Sequence, residues 1–164
     1  MTLYLLDANV LITADRDYYP IDRVPQFWSW LLEQSQQGYV KIPYEILAEI
    51  SAGSKQDQLI KWISSNKKTL VLDEEVDPSL LQKVIREGYE LLPPSETDTR
   101  KIAHDPFLIA YALSNQTERA VITLEQSSPS KKGSNRKIPD VCSRLGVASY
   151  NTFYLIKKLD FRAR

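Results

Sequence analysis

Residues 2–13 read TLYLLDANVLIT, an apolar run that stops at Asp7 and resumes after Asn9. The first run predicts a buried strand that ends at Leu6, and the second predicts the start of a helix. An Asp at such a junction either accepts hydrogen bonds from the first helical turn or points into the crevice at the carboxyl ends of parallel strands. On this stretch alone, capping and chemistry are equal alternatives for Asp7.

The composition excludes several kinds of site. The chain has 164 residues, with 21 basic and 21 acidic side chains and a formal net charge of zero. Cys142 and His104 are the only residues of their types, which excludes a disulfide framework, a thiolate zinc site and a His-rich metal site. Any bound metal must therefore be held by oxygen. Neither a bilayer-length apolar run nor an export signal is visible, so we expect a cytoplasmic protein with no membrane partner.

Short strands alternate with helices along nearly the whole chain. Apolar runs predict strands at 39–42, 69–72, 120–123 and 147–149, in addition to the first one. Helices are predicted at 25–38, from 43 onward, and at 56–65, 78–92, 106–113, 140–145 and 152–159, with a polar link at 95–101. This alternation predicts an α/β fold, a three-layer α/β/α sandwich with a central, mainly parallel sheet, in a single domain spanning 1–164.

Glu49 is a candidate site residue on the third predicted helix, PYEILAEISAG. At about 100° per residue, Glu49 lies nearer the edge of the apolar stripe than Glu45 does, which would let it reach the rim of the sheet. A solvated helix face is the alternative. His104 and Asp105 precede the apolar helix PFLIAYAL, where capping by Asp105 is as good an explanation as catalysis.

Two more acids follow the strand RAVITLE. Thr123 and Glu125 lie at its carboxyl end, at the same predicted rim as Asp7, and Asp140 begins the next helix. Acids that converge on one crevice repel each other, raise one another's pKa and favour a bound cation. Hard divalent cations such as Mg²⁺ prefer carboxylates, waters and phosphate oxygens, so such a site suits phosphoester hydrolysis without a Ser, His or Cys nucleophile.

Taken together, LLDANVLI, AEISAG, DPFLIAYAL and VITLE resemble the ordered motifs of the PIN-domain nucleases. The resemblance spans nearly the whole chain. Its flanks, YYPIDRVPQFWSWL and KIPDVCSRLGV, are similar to one PIN subfamily catalogued as a domain of unknown function. PIN domains commonly carry Asp or Asn where this chain has Glu125, which leaves Glu125 and Asp140 as alternatives for the fourth acid.

The resemblance implies a Mg²⁺- or Mn²⁺-dependent endoribonuclease that hydrolyses RNA phosphodiesters with water, often as the VapC-like toxin of a type II toxin–antitoxin pair. The implied partners are RNA and a cognate antitoxin protein. The implied catalytic acids are Asp7, Glu49, Asp105 and Glu125. The implied metal ligands are Asp7, Asp105, Glu125 and Asp140. Asn9 and Thr123 would hold a carboxylate or a metal-bound water in place without binding the metal themselves.

Four basic residues in one loop are candidates for guiding the RNA backbone, although a solvated loop explains such clusters more often. They are Lys131, Lys132, Arg136 and Lys137. Trp28 and Trp30 cannot share one helix face, so one of them is predicted to face outward. An outward Trp would suit a homodimer surface, and burial under residues 16–25 is the alternative. His104 is interpreted as a satisfied residue at a helix start.

Two other functions compete with a nuclease. A phosphohydrolase with Asp7 as nucleophile would carry a second acid two residues later, where this chain has Asn9. A catalytically inactive PIN-like module would serve as a binding protein or scaffold. The inactive module predicts no acid-dependent metal binding.

Overall fold

Four parallel strands form the central sheet of the computed structural model, which describes residues 1–53 and 57–163. The strand order is β2-β1-β3-β4. Tyr4 of β1 lies opposite Val40 of β2 and Ala120 of β3. The strands are β1 Leu3–Leu6, β2 Val40–Lys41, β3 Arg119–Ile122 and β4 Ala148–Tyr150.

Helices surround this sheet, and the predicted α/β sandwich with a mainly parallel sheet is confirmed. Helix α7 contacts β1 and β3, α2 contacts β2, and α8 contacts β4. Over the described residues the helices are α1 Ala8–Thr13, α2 Pro25–Gln36, α3 Tyr44–Ser51, α4 Gln58–Leu70, α5 Pro78–Lys83, α6 Glu96–Ile102, α7 Asp105–Leu113, α8 Ile138–Leu145 and α9 Thr152–Lys158.

Burial of the sheet on both faces explains why its strands are apolar runs instead of alternating ones. Leu5 and Leu6 of β1 and Val121 and Ile122 of β3 are completely buried. The buried apolar side chains form one continuous cluster. The chain progresses from β1 to β2 on one side, and β3 lies on the other side of β1. The strand order therefore reverses between β1 and β3, where such sheets open a crevice.

The predicted strand at 69–72 is wrong. Helix α4 continues to Leu70, and only an isolated bridge joins Val71 to Ile42. The helix end is satisfied there because the Ser35 hydroxyl and the Lys41 ammonium both donate to the Thr69 carbonyl, at 2.8 and 2.7 Å. Gln56, the predicted first residue of this helix, lies outside the described residues.

The predicted helix over 78–92 is shorter than expected, and the predicted link at 95–101 is largely helical. Helix α5 continues as a wider π-helical turn over Val84–Gly88. Gly88 packs against α8, and a Cβ there would lie 2.7 Å from Val141 Cγ1. Helix α6 begins with a capping box, in which the Ser95 side chain and the Asp98 side chain each bond the other's backbone.

The aromatic side chains of α2 pack inside the protein. Trp28 is buried and its indole N–H donates to the Tyr19 carbonyl at 2.6 Å. Trp30 is half-buried beside Phe161 and donates to the Leu159 carbonyl at 3.2 Å. Trp28 is therefore the inward ring of the pair, and Trp30 is the more exposed one, lining a surface cavity with Gln26 and Glu33.

The first helix, for which the sequence predicts residues 9–14, extends beyond that end, since Ala14–Tyr18 form a π-helical turn after α1. In residues 1–53 and 57–163, none of the helices combines the length and apolar character that crossing a bilayer requires.

Candidate active site

Asp7 lies directly after β1, at the point where the strand order reverses. It is the N-cap of α1, and its Oδ1 accepts a 2.8 Å hydrogen bond from the Ala8 backbone N–H. Its backbone N–H donates to the Ile122 carbonyl at 2.9 Å, which ties it to β3. The residue is only 4% exposed. Capping therefore uses one carboxylate oxygen and leaves the other for a second role.

That second oxygen belongs to a hydrogen-bond network at the end of β3. The Thr123 hydroxyl donates to Asp7 Oδ2 at 2.9 Å and accepts from the Glu125 backbone N–H at 3.1 Å. The Asn9 amide donates to the same hydroxyl at 3.3 Å and accepts from the Leu124 N–H at 3.1 Å. This network fixes the Asp7 carboxylate and joins the carboxyl ends of the two strands.

Asp105 is the first residue of α7, one position beyond the expected cap. His104 takes the N-cap position, and no side-chain hydrogen bond caps this end of the described helix. Ala103, which directly precedes His104, has a φ of 46°, and this left-handed conformation turns the chain sharply between α6 and α7. The capping explanation for Asp105 is therefore wrong, and its carboxyl group needs another explanation.

The surroundings of Asp7 and of Asp105 disfavour the ionised form of each carboxyl group. Burial raises the pKa of Asp7 to about 6, with further contributions from Glu125 and Glu49, although hydrogen bonds from Thr123 and Ala8 oppose the shift. Burial raises the pKa of Asp105 to about 8, followed by the charges of Asp7, Glu125 and Glu49. These four acids, from four separate segments, are called the acid cluster below.

Glu49 is the most exposed member of the acid cluster. Its Oε2 lies 3.8 Å from His104 Nδ1, a buried nitrogen that makes no hydrogen bond in the described structure. His104 is thus not the satisfied residue that the sequence suggested. Glu45, one turn earlier on α3, instead accepts hydrogen bonds from the Tyr111 hydroxyl at 3.0 and 3.2 Å. The two glutamates of this helix therefore have different surroundings.

Glu125 and Asp140, the alternatives for the fourth acid, occupy different surroundings. Glu125 raises the pKa of Asp7 and of Asp105, and its Oε1 accepts a 3.3 Å bond from the Ile138 N–H. Asp140 accepts from the Ser127 hydroxyl and, at 2.8 Å, from the Ser128 N–H. Asp140 is not among the main causes of the raised pKa of Asp7 or of Asp105. The structure groups Glu125, not Asp140, with the acid cluster.

A cavity of about 360 Å³ opens beside Asp105 and Glu125 and has a basic rim. Lys137 lies on this rim, and its charge lowers the pKa of Asp105. Two of the four predicted RNA-guiding residues, Lys131 and Lys137, line the cavity with no ion pair to a described residue. The full lining is Tyr89, Lys101, Ile102, Asp105, Glu125, Lys131, Ser134, Asn135, Arg136 and Lys137.

The other two predicted RNA-guiding residues differ. Arg136 also lines the cavity, but its guanidinium donates to the Gly88 carbonyl at 3.1 Å and pairs with Glu90 at 3.3 Å. Lys132 is exposed and does not line the cavity. Lys101, which the sequence analysis missed, does line it and donates to Asn135 at 3.2 Å. No periodic signal in the supposed link at 95–101 distinguished this lysine.

Tyr89 is a second missed residue. It follows the π-helical turn, is 1% exposed, and its hydroxyl has no hydrogen-bond partner among the described residues. Burial, then the charges of Asp105 and Glu125, raise its pKa well above the usual range. The phenol therefore stays protonated and can donate to an acceptor in the cavity. In the sequence Tyr89 resembles any core tyrosine, and no sequence pattern distinguishes a tyrosine beside the site from one that only packs.

The geometry stops short of a complete metal centre. Among the residues that the structure describes, no group of three or more His, Cys, Asp or Glu side chains has an arrangement that could hold a metal ion. Cys142, completely buried, has its pKa raised by burial and by Asp7 and Glu125. A thiol in that state is not a metal ligand, so oxygen donors remain the available set.

Comparison with known proteins identifies a family and no activity. No curated protein matches the chain. A family model described as "Domain of unknown function (DUF4411)" matches residues 4–163, nearly the whole sequence. The chain belongs to this family, DUF4411.

Proposed function

We propose that this protein is a PIN-like endoribonuclease that hydrolyses RNA phosphodiester bonds with the help of Mg²⁺ or Mn²⁺. The observation that carries the proposal is the convergence of Asp7, Asp105 and Glu125 at the strand-order reversal, beside a cavity with a basic rim. Burial and neighbouring charges there raise the pKa of both Asp7 and Asp105. Burying several acids together costs free energy unless a cation compensates them, and among the main contributors from the described residues the charge of Lys137 alone lowers the pKa of Asp105. Uncompensated acids at a strand-order reversal are typical of a catalytic site.

The donor chemistry of the acid cluster fits a hard divalent cation. Asp7, Asp105 and Glu125 would hold it, with Glu49 at the exposed side. Magnesium commonly takes one or two carboxylates and keeps several waters, so it does not require a preformed cage of protein ligands. Such an ion supplies an activated water and neutralises the charge that develops on the phosphate.

The remaining residues of the site bind and orient. Thr123 and Asn9 hold the Asp7 carboxylate in one orientation through the network described above. Lys131 and Lys137 attract the phosphates of the strand, a role that a protein without net charge must give to local basic groups. The Tyr89 hydroxyl can donate a hydrogen bond to a phosphate oxygen that enters the cavity.

The biological role that we propose is that of a toxin in a type II toxin–antitoxin pair, acting on cytoplasmic RNA. Its partner would then be a cognate antitoxin protein that covers the acid cluster. Expression of the wild-type chain should arrest growth, and Asp7→Asn should relieve the arrest. Arrest by both chains equally would contradict the toxin role.

The direct test is cleavage of single-stranded RNA by the purified protein. We expect cleavage with Mg²⁺ or Mn²⁺, none with EDTA, and none by Asp7→Asn. Asp77→Asn is a matched control, because Asp77 caps α5 by accepting from the Ser79 N–H at 2.9 Å, away from the acid cluster. If Asp7 only caps, both variants would cleave like the wild type. That result would refute the proposal.

An inactive binding module is the second candidate, favoured by the absence of a complete metal group among the described residues. An inactive module predicts that the wild type and Asp105→Asn bind Mn²⁺ equally well, or that neither protein binds it. A difference between the two proteins would exclude it.

A further inference from the structure

A second cavity, of about 500 Å³, borders the acid cluster. Thr123 and Glu125, which belong to the network around Asp7, form part of its wall. Glu125 also lines the basic cavity beside Asp105, so this residue forms part of the wall of both cavities. A strand that passes over Glu125 can therefore occupy both.

Exposed aromatic rings distinguish the second cavity. Tyr18 is 50% exposed, Phe153 39% and Tyr150 38%, and each comes from a different element. Tyr44 is the one other aromatic residue among the large exposed hydrophobic side chains of the described chain, and it lies outside the cavity. Leaving rings in water costs free energy that burial would recover, so their concentration at one place indicates a ligand surface.

The rings are held in place by neighbouring rings. Tyr18 meets Phe153 edge to face with centroids 5.3 Å apart. Tyr150 stacks on Tyr154 at 3.8 Å with an interplanar angle of 11°. Packing of this kind orients the rings before a ligand arrives, which reduces the entropy lost on binding.

We propose that this cavity holds an unpaired base of single-stranded RNA, next to the phosphate that the acid cluster acts on; the inference rests on the proposed nuclease function. Flat aromatic rings stack on any base, and the polar side chains of Gln126, Ser149 and Asn151 line the same cavity, where they can bond a base edge. A paired base cannot reach the rings without leaving its helix, so the cavity selects single strands.

Binding to a 12-nucleotide oligoadenylate tests the inference, with fluorescence anisotropy as the measurement. All proteins carry Asp7→Asn and are assayed in Mg²⁺, so that the strand stays intact. Adding Tyr18→Ala and Phe153→Ala should weaken binding by about 10- to 100-fold, the range expected for lost base stacking. Binding to an abasic ribose-phosphate strand of the same length should not change.

Three controls make the result specific. Tyr44→Ala removes an equally exposed ring outside the cavity and should leave both affinities unchanged. Tyr18→Phe with Phe153→Tyr keeps the rings and should bind like the parent. Thermal unfolding followed by circular dichroism verifies that each variant folds.

Each outcome separates the inference from the proposed function. If the wild-type chain cleaves RNA but the alanine variant binds as tightly as its parent, the base site is refuted and the nuclease stands. The rings would then belong to a protein partner. If the alanine variant binds the oligoadenylate and the abasic strand more weakly by the same factor, the lost affinity does not come from the bases, and stacking is also refuted. If the wild-type chain does not cleave RNA and the Asp7→Asn parent does not prefer the base-containing strand, both proposals fail.

Discussion

Glu90 with its two arginines and the acid cluster provide opposite electrostatic surroundings for their carboxyl groups. Glu90 lies between Arg136 and Arg144, and hydrogen bonds and charge from these arginines, Arg136 first, hold its pKa below the usual range. Asp7 and Asp105 lie among other acids, and their pKa values rise to about 6 and about 8. The protein neutralises the first group itself and leaves the second without comparable neutralisation.

This difference indicates that the charges around Glu90 serve the fold, whereas those of the acid cluster serve the proposed site. The Glu90 group ties the turn after α5 to α8 and its preceding loop, so its charges are used within the fold. The acid cluster has no comparable pairing with arginine among the described residues, and burial and neighbouring charges raise the pKa of Asp7 and of Asp105. Sites that trade stability for activity have this character. Four predictions follow from this contrast, beginning with the largest expected effect.

Replacing Asp105 or Glu90 by its neutral amide should have different effects on the cleavage rate and opposite effects on the melting temperature. Asp105→Asn should lower the rate of RNA cleavage on the order of 10³-fold, since it removes a cation ligand, and should raise the melting temperature. Glu90→Gln should leave the cleavage rate unchanged and lower the melting temperature. Kinetics and thermal unfolding of both variants provide the measurement. The contrast fails if Asp105→Asn is less stable than the wild type and fully active.

The fourth acid can be assigned by a matched pair. Glu125→Gln should lower the cleavage rate on the order of 10²-fold, because the amide keeps the acceptor for the Ile138 N–H but loses the charge. Asp140→Asn should retain the wild-type rate, because its bonds serve only the loop at Ser127 and Ser128. The reverse ranking in a single-turnover assay would assign the role to Asp140.

Stability without divalent cations should decrease as the pH rises. The pKa of Asp105 is raised in the folded state from 3.8 to about 8, so the folded protein holds this proton more tightly than the unfolded chain. Its contribution is fully present below pH 4 and is lost as the pH approaches 8. Urea unfolding at several pH values should show wild type falling behind Asp105→Asn by a few kcal/mol. A constant difference would contradict the shift.

The smallest effect concerns Thr123. Thr123→Val removes the hydrogen bond to Asp7 without changing the shape, and loss of such a supporting contact lowers activity by about 10- to 100-fold. Thr123→Ser keeps the hydroxyl and should restore most of the rate. If Val and Ser variants cleave equally, the network around Asp7 serves packing alone.

The central part of the fold follows from local patterns. The apolar run before Asp7 and the run before Thr123 predict buried strands, and parallel strands bring their carboxyl ends together. The structure accordingly places these two side chains within hydrogen-bond distance. Sequence periodicity carries this information because both strands are short, apolar and buried on both faces.

The outer part of the site depends on contacts that periodicity does not encode. Helix α4 extends through Leu70 into the segment expected to be a strand, and Ser35 and Lys41, distant in sequence, satisfy the carbonyl of Thr69 at its end. Tyr89 follows Gly88, whose missing side chain permits close packing against Val141, and this contact between distant segments leaves no periodic signal. The helix containing Lys101 begins with a capping box whose third residue is Asp98 instead of the more usual Glu or Gln.

Calorimetric titration with Mn²⁺ at pH 7 tests the central claim most directly, that the acid cluster is uncompensated because it binds a cation. Asp105 is mostly protonated at that pH, so binding should release about one proton, and the measured heat should depend on the buffer's ionisation enthalpy. We predict saturable binding by the wild type with this buffer dependence, and much weaker binding by Asp105→Asn. No binding by the wild type, or equal binding by both proteins, would contradict the account.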